Sequence, residues 1–174
     1  MARAVFQTAD LTAEAVDDSE THVLQPLLER CEDYYQLAEG RPALPEQARN
    51  LHTERPPGLA PGQGHVFALR DAQGALVGVL DALRDYPARG EWYIGLLLFA
   101  PEARGQGRGE AVVRTYEAHL RENGGRLLRI AVLEHNPAGR RFWERMGFQP
   151  EQWVGPIELG LRRHRVLKMS RALV

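Results

Sequence analysis

The stretch that most constrains this chain is Gly95-Leu96-Leu97-Leu98-Phe99-Ala100-Pro101-Glu102-Ala103-Arg104-Gly105-Gln106-Gly107-Arg108-Gly109-Glu110. It reads as a strand, a turn and the start of a helix. Ile94 to Phe99 is almost wholly apolar, and Pro101 ends the run because proline has no N–H to give to a sheet ladder. Glycines at alternate positions 105, 107 and 109 let the backbone approach a ligand closely. Ala111, Val112, Val113, Tyr116 and Leu120 then recur at helical spacing. Unpaired N–H groups and the positive end of a helix dipole are thus expected at one point, between Arg104 and Arg108. Such a point attracts phosphate.

The spacing narrows which phosphate ligand this is. A P-loop requires Gly-Lys followed by Ser or Thr, and no Gly-Lys pair occurs in the chain. A dinucleotide fingerprint requires Gly or Ala where Gly105-x-Gly107-x-x-Glu110 has Glu110. What the residues do match is Arg104-x-x-Gly107-x-Gly109, which resembles the acyl-CoA pyrophosphate loop of the GNAT superfamily of N-acetyltransferases. A second segment, Asn136-Pro137-Ala138-Gly139-Arg140-Arg141-Phe142-Trp143-Glu144-Arg145-Met146-Gly147-Phe148, resembles that superfamily's other signature, and the two stand in its order with a strand between.

The resemblance implies a fold and a chemistry. The fold is α+β in one domain spanning residues 1–174, with a mixed, mostly antiparallel sheet splayed at its central parallel strand pair and flanked by helices. The chemistry is transfer of an acetyl group from acetyl-CoA, a co-substrate, to an amine of a small molecule or protein. Backbone groups of Leu97, Leu98 and Phe99 would hold the pantetheine arm. The loop Arg104, Gly105, Gln106, Gly107, Arg108, Gly109 and Glu110 would hold the pyrophosphate. Asn136 has two readings, a ligand of the coenzyme arm or an N-cap ahead of Pro137. Trp143 likewise either lines the thioester pocket or is core.

The chain departs from the superfamily's pattern at the reacting groups. Trp143 stands where many members carry a tyrosine acid, and an indole N–H is no acid near neutral pH. Ala131 stands where some protein-acetylating members have a glutamate. Orientation can lower a barrier by roughly 7 to 11 kcal/mol, while acid–base help gives about 10²- to 10⁴-fold, so positioning can dominate. Glu91, at the head of the central strand, is the candidate base through a water, or else a solvated strand-end charge. Glu134, His135 and Tyr93 are weaker candidates. An acyl-CoA-binding module of little activity is the competing reading.

Elsewhere the chain reads as one domain without repeats. Its expected elements are a first edge strand over Ala4–Gln7, a helix from Leu24 to Ala38, a shorter helix opened by Pro45, and a loop from Arg55 to Gly64. A hairpin (His65–Leu69 and Ala75–Leu80), the central strand to Phe99, a helix to Leu120, a strand Leu127–Leu133 and a helix Pro137–Met146 follow. Phe148–Val154 and Val166–Leu173 close the sheet as an antiparallel pair. Gly155-Pro156 and the basic run after Leu161 read as a loop that could support a homodimer, which the superfamily often forms. With 174 residues and net charge −1, the chain shows no general attraction to nucleic acid or membrane. It lacks an evident leader or long apolar segment, so a cytoplasmic location is expected. Cys31 is the sole cysteine, which excludes an internal disulfide, and the histidine spacing implies no metal.

Overall fold

The computed structural model describes residues 3–174. The first two residues, read above only in looking for a leader, lie outside them. Among the described residues eight strands form one mixed sheet in the order β1-β2-β3-β4-β5-β6-β8-β7. The strands are β1 (Arg3–Gln7), β2 (Leu11–Ala15), β3 (Gly64–Asp71), β4 (Leu76–Leu83), β5 (Glu91–Phe99), β6 (Leu127–Leu133), β7 (Gln149–Leu159) and β8 (Arg162–Ala172). Helices α1 (Gln25–Arg30), α2 (Glu32–Glu39) and α3 (Gln47–Thr53) precede β3, and α4 (Arg108–Glu122) and α5 (Pro137–Arg145) flank β6 in sequence. Among the described residues no helix is long and apolar enough to cross a membrane.

The pairing is antiparallel throughout except between β5 and β6. That parallel pair carries the consequence for function. Its register runs only through Glu91↔Leu127, Trp92↔Leu128 and Tyr93↔Arg129. Both strands continue, β5 to Phe99 and β6 to Leu133, but they no longer bond to each other. From Ile94 onward one edge of β5 therefore presents backbone groups without a strand partner, which elsewhere would be satisfied by water or a ligand. The splay expected from the resemblance is present.

The core lies on both faces of the sheet. On one face α4 sets Tyr116, fully buried, against Phe6, Phe67 and Trp92, with ring centroids 5.6 to 6.3 Å apart. The other face buries Leu24, Leu27, Leu28 and Cys31. Close packing of this kind fixes the strands to which the site residues belong.

Four expectations are corrected. A second strand, β2, lies between the expected first strand and the first helix; only Leu11 and Ala13 of it are buried, so its pattern is faint. The helix expected from Leu24 to Ala38 is two helices, because Cys31 leaves the helical region at ψ 41 and its buried thiol lies 3.5 Å from the Phe99 carbonyl, to which it donates. The helix expected to open at Pro45 begins at Gln47. The segment from Gly155 to Arg165, read as a loop, is mostly strand: β7 and β8 run to a turn at Gly160-Leu161, and the register shifts between Val154 and Ile157, where Pro156 has no N–H to pair.

Candidate active site

The loop after β5 departs from regular structure in the way its glycines allow. Gly105 and Gly107 have φ of 74° and 73°, and a Cβ at either would meet no atom within 4 Å. The conformation, not space, requires glycine there. Gly107 is the N-cap of α4, and Ala111 is the first residue whose N–H returns to it. Among the described residues the N–H groups from Gly105 to Glu110 donate no hydrogen bond. A run of such donors at the start of a 15-residue helix is an anion cradle.

The two arginines of the loop are already engaged. Arg104 Nε donates to the Phe99 carbonyl at 2.9 Å, and its two terminal nitrogens donate to Asp33 on α2. Arg108 Nε donates to Asp10 at 3.1 Å. Arg104 is committed at all three nitrogens, whereas Arg108 is held by Nε alone and its two terminal nitrogens have no partner among the described residues, so the attraction of the cradle rests on backbone groups and on Arg108. Arg104 instead fastens the end of β5 and the loop to α2. Gln106 reaches back to the Glu102 carbonyl at 3.3 Å, and Glu110 lies 3.7 Å from Arg114 one turn along the helix.

This loop is the wall of a cavity of about 370 Å³. Leu97, Leu98 and Phe99 form one side, and Arg104, Gly105, Gly107, Arg108, Gly109 and Glu110 the mouth. Phe142, Arg145 and Met146 of the α5 segment close it, with Phe142 3.4 Å from where a Cβ on Gly109 would stand. Nearly all the residues expected to hold a coenzyme are thus brought to one place, although they come from three separate elements.

Asn136 and Trp143 line a second, narrower space of about 90 Å³, the opening between the splayed strands. Leu97 belongs to both, so the two are contiguous. Asn136 caps α5, its Oδ1 accepting from the Gly139 N–H at 3.0 Å. Its carbonyl-side oxygen is therefore used, while its amide nitrogen has no partner among the described residues. Trp143 packs edge-on to Phe142 and Phe148, at 4.8 and 5.0 Å between centroids, and is 9% exposed. It is core and cleft wall together. Tyr34 of α2 is the one phenol among the described residues that line the opening. Burial pushes that phenol up to about 12, so it carries its proton at neutral pH.

The acid–base candidates separate by position. Glu91 lies at the end of β5 that is paired to β6, and Arg129 takes both its oxygens, Nε to Oε2 at 3.2 Å and Nη2 to Oε1 at 3.3 Å. It does not border the opening. Glu134 accepts the Arg165 N–H at 3.0 Å, and His135 stands 65% exposed beside it. Tyr93 is pushed up by burial and lies against Tyr86.

One charged group escaped the sequence reading. Asp81, on β4, is 15% exposed, and its Oδ1 accepts from Arg55 Nη2 at 3.1 Å. Burial pushes its carboxyl up to about 6 against the opposing pull of Arg55. The second apolar run of the hairpin, Ala75–Leu80, stops short of this residue, yet β4 continues to Leu83. A lone acid just after an apolar run, with an arginine in a Pro/Gly-rich loop to neutralise it, was the available signal.

A model of the acetyltransferase (GNAT) family matches residues 24–148, a span that holds the splayed strands, the anion cradle and the capped helix. The chain belongs to this family. As a member it is an acetyl-CoA-dependent N-acetyltransferase by class. No curated protein matches it. Among solved structures, an acetyltransferase from Thermus thermophilus is similar at 24% identity with TM-score 0.76, covering 93% of this chain and 96% of the other. The ribosomal L7/L12 alpha-N-protein acetyltransferase RimL is similar at 21% identity with TM-score 0.77, covering 99% and 95%. A spermidine N-acetyltransferase from Vibrio cholerae, solved with CoA and spermine, is similar at 18% identity with TM-score 0.70, covering 94% and 95%. At these identities the GNAT members share the fold with this chain and differ among themselves in acceptor.

Proposed function

We propose that the enzyme moves the acetyl group to a primary amine of a small molecule or protein by direct attack in a ternary complex. The observation that carries this reading is the joining of the N–H cradle from Gly105 to Glu110 to the unpaired edge of β5 by way of Leu97, Leu98 and Phe99. A long, flexible ligand with a phosphate at one end and hydrogen-bonding amides along its length suits that sequence of features. The pyrophosphate would meet the cradle, the pantetheine arm would bond to the edge of β5, and the thioester would reach the opening bordered by Asn136 and Trp143. The Asn136 amide nitrogen supports a contact with the arm in addition to its cap.

In the transfer, the amine nitrogen attacks the thioester carbonyl, the C–N bond forms, the C–S bond breaks and the amine loses a proton. Trp143 gives the departing sulfur no proton. A thiol has an ordinary pKa of about 8.5, so the thiolate can leave without full protonation, and Tyr34 is the phenol nearest to hand. The indole at position 143 also favours a second reading, a catalytically weak acyl-CoA-binding module.

Thermal unfolding with acetyl-CoA, with ATP and NAD as controls, tests the coenzyme site. A ligand at ~100 times its dissociation constant stabilises the fold by about 2.7 kcal/mol. A shift with acetyl-CoA alone followed by CoA release with some amine is the expected result. A shift without turnover on a broad amine panel supports the binding module, and no shift at saturation overturns both.

A further inference from the structure

Asp81 lies in the middle of the sheet, and its register neighbours are Val66 on β3 and Leu96 on β5. A carboxylate there is costly unless held. Arg55 holds it by one oxygen only, Oδ1. Among the described residues Oδ2 has no hydrogen-bond partner, and it is not sealed from solvent either.

What Oδ2 faces is informative. Asp81 pairs with Leu96 while Ala82 pairs with Ile94, so Gly95 is an extra residue in β5, bulged opposite the acid. A Cβ on Gly95 would stand 3.4 Å from Oδ2. Gly95 is exposed and lines the opening between the splayed strands, beside Tyr34 and Leu96. The open oxygen of this part-buried carboxylate therefore lies against Gly95, a residue of the opening where the thioester would arrive. The missing side chain at position 95 is what leaves it uncovered.

Resting on the acetyl-transfer reading above, we propose that Asp81 receives the acceptor: Oδ2 binds the ammonium of a cationic primary amine over Gly95 and takes one of its protons. The carboxylate and RNH3⁺ become the carboxylic acid and RNH2, whose lone pair attacks the thioester carbonyl; the C–S bond then breaks with its electron pair on the CoA sulfur, the nitrogen's second proton goes to that thiolate, and the acid returns its own proton to solvent after the amide leaves. Arg55 fixes which oxygen is free. The raised carboxyl suits the task, because a base works best with a pKa close to the working pH. The other titratable groups facing Asp81 are few. Arg55 comes from the loop after α3, the buried Tyr116 phenol from α4 feels its charge, and His52 of α3 sits near Arg55 but pairs with Asp18. The anchor selects for cationic amines and against alcohols and carboxylates of similar shape.

Two variants test this. Asp81→Asn keeps the size and an oxygen for Arg55 but removes the base; Gly95→Ala places a methyl group at an ordinary contact distance over Oδ2, at a backbone position outside the left-handed region. With n-butylamine as probe, Asp81→Asn is expected to bind CoA within twofold of wild type by calorimetry, to lose about 100-fold or more in kcat, and to lose the acidic limb of the pH–rate profile. Gly95→Ala is expected to raise KM for the amine at least tenfold. An unchanged pH profile in Asp81→Asn, at more than a third of the wild-type rate, overturns the proposal. Should the wild type bind CoA yet acetylate no amine, or bind no CoA, the transfer reading fails on its own. Carboxyl ¹³C NMR of Asp81 with added n-butylammonium then decides the site: a saturable shift absent in Gly95→Ala supports it, and no shift overturns it.

Discussion

Asp33 on α2 takes both terminal nitrogens of Arg104, Nη2 at 3.2 Å from Oδ1, while Arg104 Nε holds the Phe99 carbonyl at 2.9 Å. The arginine that looked like a phosphate ligand in sequence is thus a clamp across α2, the end of β5 and the glycine loop. Its hydrogen bond to Arg104 holds the Asp33 carboxyl below its usual range. The stabilisation it gives is present above the ordinary carboxylate pKa and is lost as pH falls through the lowered value. Asp33 is 60% exposed, so that contribution stays under about 1 kcal/mol. Arg104→Gln is therefore expected to change the melting temperature little and to weaken acetyl-CoA binding about tenfold by loosening the loop. Calorimetry checks this, and a loss below twofold counts against the clamp.

Gly107 begins α4 at φ 73° with open space where a side chain would go. Gly107→Ala meets no clash, yet an L-residue in that region costs about 1 to 2 kcal/mol. For a chain of this length a fall of roughly 2 to 8 °C is expected. Relaxation of the strained turn would also misalign the cradle, so coenzyme affinity should drop by more than the stability change alone predicts. Melting curves with and without acetyl-CoA measure both.

Trp143→Tyr sets a phenol where the indole now borders the opening. The smaller ring leaves a void beside Phe142 and Phe148, and a loss of about 1 to 3 kcal/mol in stability is expected. If departure of the thiolate limits the rate, kcat rises several-fold with KM for acetyl-CoA unchanged. A fall in kcat would mean that Trp143 acts through shape.

The raised carboxyl of Asp81 has a signature in stability. Burial lifts the group to about 6 in the folded chain, against an ordinary 3.8 when unfolded. Between those values the folded state binds more protons, so this group makes stability fall as pH rises from about 4 to about 6, after which its effect is constant. Denaturant titrations of wild type and Asp81→Asn across that interval should diverge, the variant lacking the decline. Parallel curves would show that the carboxyl titrates normally.

The expected fold was legible where side-chain period and chain chemistry agreed. The apolar run into Pro101, the glycine turn and the helix after it were evident from Ile94 to Leu120, as was Asn136 ahead of Pro137. Strand β2 was not, because Thr12 and Glu14 alternate with only Leu11 and Ala13 as buried partners. The break at Cys31 has no glycine or proline to announce it; it answers to a tertiary contact with Phe99. The site was read by motif and so captured the residues around the coenzyme cavity, but not what each side chain does. That Arg104 is spent on Asp33, and Arg108 Nε on Asp10, depends on α2 and on the turn after β1, far away in sequence. Asp81 was missed for the same reason: its role comes from a register one residue out of step on the neighbouring strand.

That single residue has a further consequence, for how this protein can be compared with others. Side chains along a strand alternate between the two surfaces of a sheet, but a residue bulged out of the ladder is stepped over, so those beyond it keep the faces their partners set. Ile94 and Leu96 pair with the consecutive residues Ala82 and Asp81, so removing Gly95 would close the ladder with Leu96 through Phe99 still opposite Asp81 through Gly78. A deletion at this point removes the bulge but leaves each residue on its own side, whereas a deletion at an unbulged position of the strand exchanges inside for outside beyond it. An alignment that opens its gap at Gly95 compares residues from the same face of the sheet, and one that moves the gap along β5 mispairs the residues between.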